Sequence, residues 1–197
     1  MGKRLVVLAS GSGSNAQALL DRRDLGGDIV AVVADVPDAG VLRRAEAAGV
    51  DRVCVDRHAY PDRNTWEAAL IAAVADRAPD LVVLAGFMRI LSGAFVRRWP
   101  ILNVHPSLLP SFPGAHAVSD ALEHGVKVTG VTVHFVVEEV DAGPIVAQEA
   151  VAIAPDDTSD SLHERLKAVE HRLLPDAVAL FCADRLDVAG RTVRIKP

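Results

Sequence analysis

Short runs of apolar residues, separated by segments with helical spacing, limit the folds open to this chain. Residues 4–9, 28–34, 52–55 and 81–85 are mostly apolar along their whole length rather than alternating with polar residues. Such runs are typical of strands buried on both faces of a sheet. Strands that alternate with helices predict an α/β fold, with a mainly parallel, twisted sheet, right-handed crossovers and helices on both faces.

The later part of the chain predicts an antiparallel extension of this sheet. Residues 126–137 and 145–152 have strand patterns and flank a short acidic loop, so they can pair with each other. A last long helix is expected to run to about residue 183, and residues 186–195 predict a small hairpin. The sequence has no internal repeat, linker or low-complexity segment, so we expect a single domain over residues 1–197.

The composition argues against several classes of protein. Half of the residues are hydrophobic and 24% are charged, as in a globular chain, and the net charge of −5 argues against a broad nucleic-acid-binding surface. The apolar run near the N-terminus is too short for a signal peptide, and no stretch reaches membrane-spanning length. We therefore expect a cytoplasmic protein that binds neither nucleic acid nor membranes.

A glycine-rich turn follows the first predicted strand, with the sequence S-G-S-G-S-N-A-Q. Gly11 and Gly13 permit a tight turn, and Ser14 or Asn15 can cap the helix that follows. The free N–H groups at such a helix start bind phosphate well, although many turns of this kind bind nothing. Because residue 16 is alanine, the full G-x-G-x-x-G pattern is absent, which argues against a nicotinamide dinucleotide.

Three features of the chain lie at predicted carboxyl ends of strands: Gly13, Gly86 and His105. Open α/β sheets bind their ligands beyond the carboxyl ends of the strands. The sequence therefore predicts that these three positions converge on one edge of the sheet.

Residues 102–144 carry the strongest candidate for an acid–base group. Asn103 and His105 lie at the end of one apolar run, which Pro106 stops. Asp141 follows the next apolar run and lies in a loop that we expect to be exposed. An amide, an imidazole and a carboxylate at strand ends make a compact acid–base group. Each residue also has an ordinary interpretation, as a backbone partner, a buried histidine or a turn residue.

Metal and nucleophilic-serine chemistry are weaker interpretations. Cys54 and Cys182 are far apart and are expected to be buried thiols rather than a disulfide or a metal site. Ser107 lacks the G-x-S-x-G elbow of a nucleophilic serine. The remaining candidate zinc ligands have the spacing of no known zinc motif, so we expect no metal; they are His105, His116, His134 and Asp141.

The segments N-V-H-P-S-L-L-P-x-x-P-G-x-H, G-x-T-V-H-F and V-D-x-G-P-I resemble the folate-dependent formyltransferases. The resemblance covers nearly the whole chain and is least informative in the last dozen residues. It implies a Rossmann-like formyltransferase fold with 10-formyltetrahydrofolate as cosubstrate and no metal. It further implies formyl transfer to the amine of glycinamide ribonucleotide, which gives formylglycinamide ribonucleotide and tetrahydrofolate in purine biosynthesis.

The resemblance also assigns roles to individual residues, position by position. The catalytic residues it implies are Asn103, His105 and Asp141. Those it implies for glycinamide ribonucleotide are Gly13, Ser14, Asn15, Lys167 and Glu170, with His116 near the substrate. Those it implies for folate are Arg63, Met88, Arg89, Ile90, Leu91, Asn103, Val137, Glu138, Glu139, Val140 and Asp141. The chain departs from the family at Ser12, where asparagine is frequent, and at Phe112, where tyrosine is frequent.

This chemistry suits the residue types. The amine of the substrate is itself the nucleophile, so no serine or cysteine has to be acylated. Asn103 and protonated His105 can donate to the oxyanion that forms. Asp141 can favour the charged imidazole and help to carry a proton through water.

Other functions stay open at this stage. A methionyl-tRNA formyltransferase normally has an added C-terminal RNA-binding domain, and a formyl-folate hydrolase an added first domain, and we expect neither here. A non-catalytic phosphate-binding module would explain residues 13–15 but would not require Asn103, His105 and Asp141 together. A homodimer is a further possibility.

Overall fold

The computed structural model describes residues 2–197, and within them nine strands form one sheet. The strands are β1 Lys3–Ala9, β2 Gly27–Ala34, β3 Asp51–Cys54, β4 Leu81–Leu84, β5 Ile101–His105, β6 Val128–Phe135, β7 Ile145–Ala152, β8 Leu186–Ala189 and β9 Thr192–Ile195. The helices are α1 Ser14–Leu20, α2 Gly40–Ala47, α3 Arg63–Ala75, α4 Gly93–Val96, α5 Ala117–His124 and α6 Ser159–Cys182, with a 3₁₀ turn at Arg57–Ala59.

The sheet is parallel in its first part and mixed in its second. Its strand order is β3-β2-β1-β4-β5-β6-β7-β9-β8. The first five strands of the chain pair in parallel, whereas β6 is antiparallel to both β5 and β7. The predicted parallel sheet and its antiparallel extension are therefore confirmed. The C-terminal hairpin, β8 with β9, also joins this sheet, through the pair Ile145 and Thr192.

Helices cover both faces of the sheet, as the continuous apolar strands predict. Along β1, Leu5 and Val7 face a core built with α1, α2 and α6. Val6 and Leu8 face a second core, built with α3 and α4. Successive strand residues point to opposite faces, so a strand buried on both faces must be apolar at every position.

The start of α1 differs from the prediction. The N-cap is Gly13, with φ of 77° and no side-chain cap, so the predicted capping by Ser14 or Asn15 is wrong. Glycine adopts this left-handed conformation without a steric penalty, and no capping side chain is needed to turn the chain. The side chain of Asn15 is therefore free to make a contact elsewhere.

The two cysteines differ in environment. Cys182 is buried, and burial raises the pKa of its thiol to about 11. Cys54 is exposed, so the prediction of two buried thiols is wrong for it, because β3 is the edge strand of the sheet. Over residues 2–197 we find no helix with the length and apolar character to cross a membrane.

Candidate active site

The pairing of β5 with β6 positions Asn103, His105 and His134 in the site. In this antiparallel register Asn103 lies opposite His134, and His105 lies opposite Thr132. Asn103 and His105 are two residues apart on one strand, so their side chains point to the same face of the sheet. The strand ends at His105, as the following proline predicts.

Asn103 and His134 fix each other's orientation. Asn103 Nδ2 lies 3.1 Å from His134 Nε2, and because an amide nitrogen can only donate, Nε2 is the acceptor. The proton of His134 is then on Nδ1, which donates to the Phe135 carbonyl at 2.9 Å. Burial lowers the pKa of His134 below its usual value, so the ring is neutral at pH 7. The second N–H of Asn103 remains available to a ligand.

His105 has one ring nitrogen held by the backbone and the other facing Asp141. Nε2 lies 2.8 Å from the carbonyl oxygen of Phe112, an acceptor, so Nε2 carries a proton and donates it. Nδ1 lies 3.5 Å from Asp141 Oδ2, which is longer than a hydrogen bond. The nitrogen of His105 that can exchange a proton in this site is therefore Nδ1.

Asp141 is enclosed rather than exposed. Its side chain is 11% exposed, so the expectation of an exposed loop carboxylate is wrong. Oδ2 accepts a hydrogen bond from the Gly114 backbone N–H at 2.7 Å, and Oδ1 lies 3.7 Å from His134 Nε2. The residue has a left-handed φ of 52°, which aspartate tolerates better than most side chains. The loop thereby turns the carboxylate inward, towards the two imidazoles.

The loop between β6 and β7, which carries Asp141, is anchored at two further points. Glu138 forms an ion pair with Arg97, the residue that directly follows α4. The carbonyl of Ala142 accepts a hydrogen bond from Arg191 Nη1 at 3.0 Å. Arg191 lies in the turn of the C-terminal hairpin, so this hairpin contacts the loop of the candidate catalytic carboxylate.

A cavity of about 510 Å³ contains the candidate catalytic side chains in its wall. That volume lies in the range of about 300–1,000 Å³ that is usual for small-molecule sites. Met88 and Ile90 are 70% and 63% exposed at its rim, and exposed apolar side chains beside a cavity indicate a binding surface. The predicted site residues that line it are Met88, Arg89, Ile90, Leu91, Asn103, His105, His116, Val137, Glu138, Glu139, Val140 and Asp141.

Residues 88–91 lie between β4 and α4, outside helices and strands, and other elements hold them in place. Arg63, predicted to bind folate, contacts this segment and does not line the cavity. Four hydrogen bonds from outside fix the segment and the residue after it: Met88 N to Ser10 Oγ (2.9 Å), Arg89 Nε to Asp35 Oδ2 (2.5 Å), Arg63 Nη2 to the Ile90 carbonyl (2.8 Å) and Ser92 N to Glu67 Oε1 (2.6 Å).

Two of the residues predicted to bind the ribonucleotide, Asn15 and Glu170, form a second cluster outside the lining of this cavity. Asn15 Nδ2 donates to Glu170 Oε2 at 2.8 Å, and both side chains are buried where α1 packs on α6. Asn15 Oδ1 is buried without a hydrogen-bond partner among the described residues, which leaves an acceptor for a ligand. Lys167 instead pairs with Glu164, at 2.6 Å along the same helix.

The glycine loop packs against α2. A Cβ on Gly13 would lie 2.6 Å from Val41 Cβ, closer than real contacts allow. The carbonyl of Ser12 accepts a hydrogen bond from Arg44 Nε at 2.8 Å, so the position that departs from the family contributes its backbone here. Phe112 likewise contributes its carbonyl, to His105, while its ring lies edge-on to His124 at 5.8 Å.

Sequence reasoning missed three residues that the structure places in or beside the site. His134 was weighed only as a zinc ligand, yet it orients Asn103. Asp35 and Glu67 are buried carboxylates, of which Asp35 holds the segment 88–91 through Arg89 and Glu67 holds the next residue, Ser92. A signal existed for Asp35, because it directly follows a buried strand at the same edge as Gly13. In the part of the chain that the structure describes, no group of three or more His, Cys, Asp and Glu could hold a metal ion.

Similarity to known proteins covers the segments that carry Asn103, His105 and Asp141. Residues 3–178 match the formyl transferase family model. The chain belongs to the formyltransferase family. The membership predicted from the motifs around Asn103, His105 and Asp141 is thereby confirmed.

Individual relatives of this formyltransferase carry more specific names. A phosphoribosylglycinamide formyltransferase of Mycobacterium tuberculosis is 46% identical over 206 residues, covering 96% of this chain and 89% of that protein. The human trifunctional purine biosynthetic protein adenosine-3 is 46% identical over 91% of this chain, which spans 18% of its length. The crystal structure of glycinamide ribonucleotide transformylase 1 from Symbiobacterium toebii is 48% identical, with a TM-score of 0.95 over 100% of this chain and 95% of that one.

Proposed function

We propose that this protein is a phosphoribosylglycinamide formyltransferase. It transfers the formyl group of 10-formyltetrahydrofolate to the amine of glycinamide ribonucleotide in de novo purine biosynthesis. The observation that carries the proposal is the convergence of Asn103, His105 and Asp141 in the wall of one cavity. The names of the similar proteins support the same reaction.

The folate cosubstrate fits the large cavity. Its pterin ring has a row of hydrogen-bond donors and acceptors that can pair with the peptide groups of residues 88–91 other than the Met88 N–H, which bonds Ser10, and the Ile90 carbonyl, which bonds Arg63. The exposed side chains of Met88, Ile90 and Val140 supply apolar contact for the planar parts of the molecule. Arg89 is held by Asp35, so we assign it to the support of the segment rather than to the folate carboxylates.

The ribonucleotide is assigned to the glycine loop and the Asn15–Glu170 cluster. The backbone N–H groups at the start of α1 can donate to a phosphate, at the positive end of the helix dipole. Glu170 and the unpartnered Asn15 Oδ1 can accept hydrogen bonds from the ribose hydroxyls or the glycine amine. Lys167 lies one turn before Glu170 and can approach a ligand only if it leaves Glu164.

Asn103 and His105 stabilise the transition state of the transfer. The glycine amine attacks the formyl carbon, a C–N bond forms, and the carbonyl oxygen becomes an oxyanion. Asn103 uses its second Nδ2 hydrogen, and charged His105 uses Nδ1–H, to donate to that oxygen. Both donors are oriented before the substrate binds, by His134 and by Phe112, so little reorganisation is needed when charge develops.

Asp141 and His105 assist the transfer of a proton from the attacking amine to folate N10. Asp141 faces Nδ1 across a gap of 3.5 Å, which leaves the carboxylate to stabilise the charged ring and to act through a water molecule. The amine loses one proton on this route as the C–N bond to folate N10 breaks, and N10 gains one proton. The products are formylglycinamide ribonucleotide and tetrahydrofolate, and the enzyme returns to its starting protonation state.

One competition assay tests this function. The protein is incubated with 10-formyltetrahydrofolate, and tetrahydrofolate release is measured with glycinamide ribonucleotide, methionyl-tRNA or water as the acceptor. We expect release to depend on the ribonucleotide. Release that is equally fast with water or methionyl-tRNA would contradict the proposal. The cytoplasmic location, the single domain of residues 1–197 and the homodimer stay predictions.

A further inference from the structure

Asp35 is a buried carboxylate that the proposed mechanism does not use. It directly follows β2, and its side chain is 0% exposed. Oδ2 accepts a hydrogen bond from Arg89 Nε at 2.5 Å, while Oδ1 has no hydrogen-bond partner within residues 2–197. An ionised carboxylate is expensive to bury unless it is paired, so the position of Asp35 depends on Arg89.

Arg89 connects this buried point to the wall of the cavity. Its side chain is 39% exposed and lines the cavity, whereas Asp35 does not. Its neighbours Met88 and Ile90 are exposed at the rim, so their side chains do little to fix the backbone. The ion pair therefore joins an exposed, irregular segment to the end of a strand inside the sheet.

Net stability is a poor explanation for such a pair. Taking the Asp35 carboxylate out of water costs free energy, and solvent weakens its attraction to the half-exposed Arg89 side chain, so the two terms largely cancel. A charged hydrogen bond from Arg89 Nε to a fixed carboxylate does, however, restrict the positions open to the Arg89 backbone. Here that backbone belongs to the segment 88–91, all four residues of which line the cavity.

We propose that Asp35 is a positioning residue of the folate site. Through Arg89 it holds the peptide groups of residues 88–91 in the arrangement that receives the pterin ring. This inference rests on the proposed function, because it takes folate as the ligand of the cavity. Ser10, Arg63 and Glu67 contact the same segment or the residue after it, and Asp35 is the one that acts through a side chain lining the cavity.

A double-mutant cycle tests the proposal. The variants are Asp35→Asn, Arg89→Gln and the two together, and the matched control is Asp38→Asn, the same change at an exposed residue three positions later. For each variant the KM for 10-formyltetrahydrofolate, the KM for glycinamide ribonucleotide, kcat and the melting temperature are measured. We expect Asp35→Asn to raise the folate KM by about 10-fold, and we expect the double variant to add little to either single one because residues in contact are coupled. The ribonucleotide KM and kcat should stay within about twofold, which a general loss of structure would not allow.

Each other outcome of this experiment overturns the inference. A folded Asp35→Asn variant with an unchanged folate KM would show that the pair does not position the segment. If both KM values rise and kcat falls to a similar extent, together with a lower melting temperature, Asp35 has a structural role alone. If Asp35→Asn does not fold, Asp35→Glu, which keeps the charge but moves it by one methylene, takes its place, with the same expected rise in folate KM. A wild-type protein that transfers no formyl group would instead refute the proposed function, before any variant is compared.

Discussion

Among single residues, the enclosed carboxylate of Asp141 gives the most direct test of mechanism. Asparagine tolerates the same left-handed backbone and can still accept the hydrogen bond from Gly114. We expect Asp141→Asn to fold normally and to lose turnover by about 100-fold or more, because the charge next to His105 is gone. Steady-state kinetics and a thermal melt measure the two effects. Near-normal turnover in a folded variant would remove Asp141 from the mechanism.

The pKa of His134 predicts a pH dependence of stability. Burial lowers its folded-state pKa below the ordinary value of 6.5, so the unfolded chain binds its proton more readily. Stability is therefore complete above about pH 6.5 and falls as the pH drops from there towards the folded-state pKa. Melting temperatures between pH 7.5 and 5 should decline in the wild type and decline less in His134→Gln. Equal slopes for the two proteins would show that His134 does not titrate in this way.

At the level of secondary-structure elements, the turn into α1 depends on one of its two glycines. Gly13 has φ of 77° and would place a Cβ 2.6 Å from Val41, whereas a Cβ on Gly11 would meet nothing within 4 Å. We expect Gly13→Ala to lower the free energy of unfolding by about 1–3 kcal/mol, because it combines backbone strain with a clash. Gly11→Ala is the matched control and should be nearly neutral in a urea titration. Similar losses for the two variants would contradict this account.

The C-terminal hairpin contacts the loop of Asp141 through Arg191. Its hydrogen bond to the Ala142 carbonyl is worth about 1 kcal/mol net, so Arg191→Ala should lower turnover by up to about fivefold while the fold is kept. Arg194→Ala, at an exposed position of the same hairpin, is the control and should change nothing. The two kcat values decide the matter. If both variants match the wild type, the hairpin does not help to place the loop.

In the molecule as a whole, the two substrates are assigned to different parts of one sheet edge. Glu170 belongs to the ribonucleotide cluster, and glutamine there can still accept the hydrogen bond from Asn15. We expect Glu170→Gln to raise the KM for glycinamide ribonucleotide by about 10-fold and to leave the folate KM within twofold, since one charged hydrogen bond is worth about 1.5–3 kcal/mol. Glu123→Gln, the same change at an exposed position of α5, is the control. A rise in the folate KM with an unchanged ribonucleotide KM would show that Glu170 belongs to the folate site and not to the ribonucleotide cluster.

The order of the elements was predictable from residues close together in the chain. The apolar runs before Gly13, Gly86 and His105 predicted buried strands, because burial on both faces requires an apolar residue at every position. Such strands are parallel, so their carboxyl ends lie at a common edge of the sheet. The motif around Asn103, His105 and Asp141 gave the candidate catalytic group in the same way. The end of β5 at His105 agrees with the expectation, since Pro106 marks where the strand must stop.

The contacts that shape the site could not be predicted, because they join distant parts of the chain. Asn103 meets His134 across 31 residues, Arg89 meets Asp35 across 54, and Arg191 meets Ala142 across 49. A pattern of local spacing predicted the pairing of β6 with the next strand, β7, but it gives neither the full strand order nor the register between strands. Local sequence therefore determines the strands, the turns and the chemistry available, whereas the tertiary structure determines which nitrogen of His105 faces Asp141, because only the fold brings the Phe112 carbonyl to one ring nitrogen and the Asp141 carboxylate to the other.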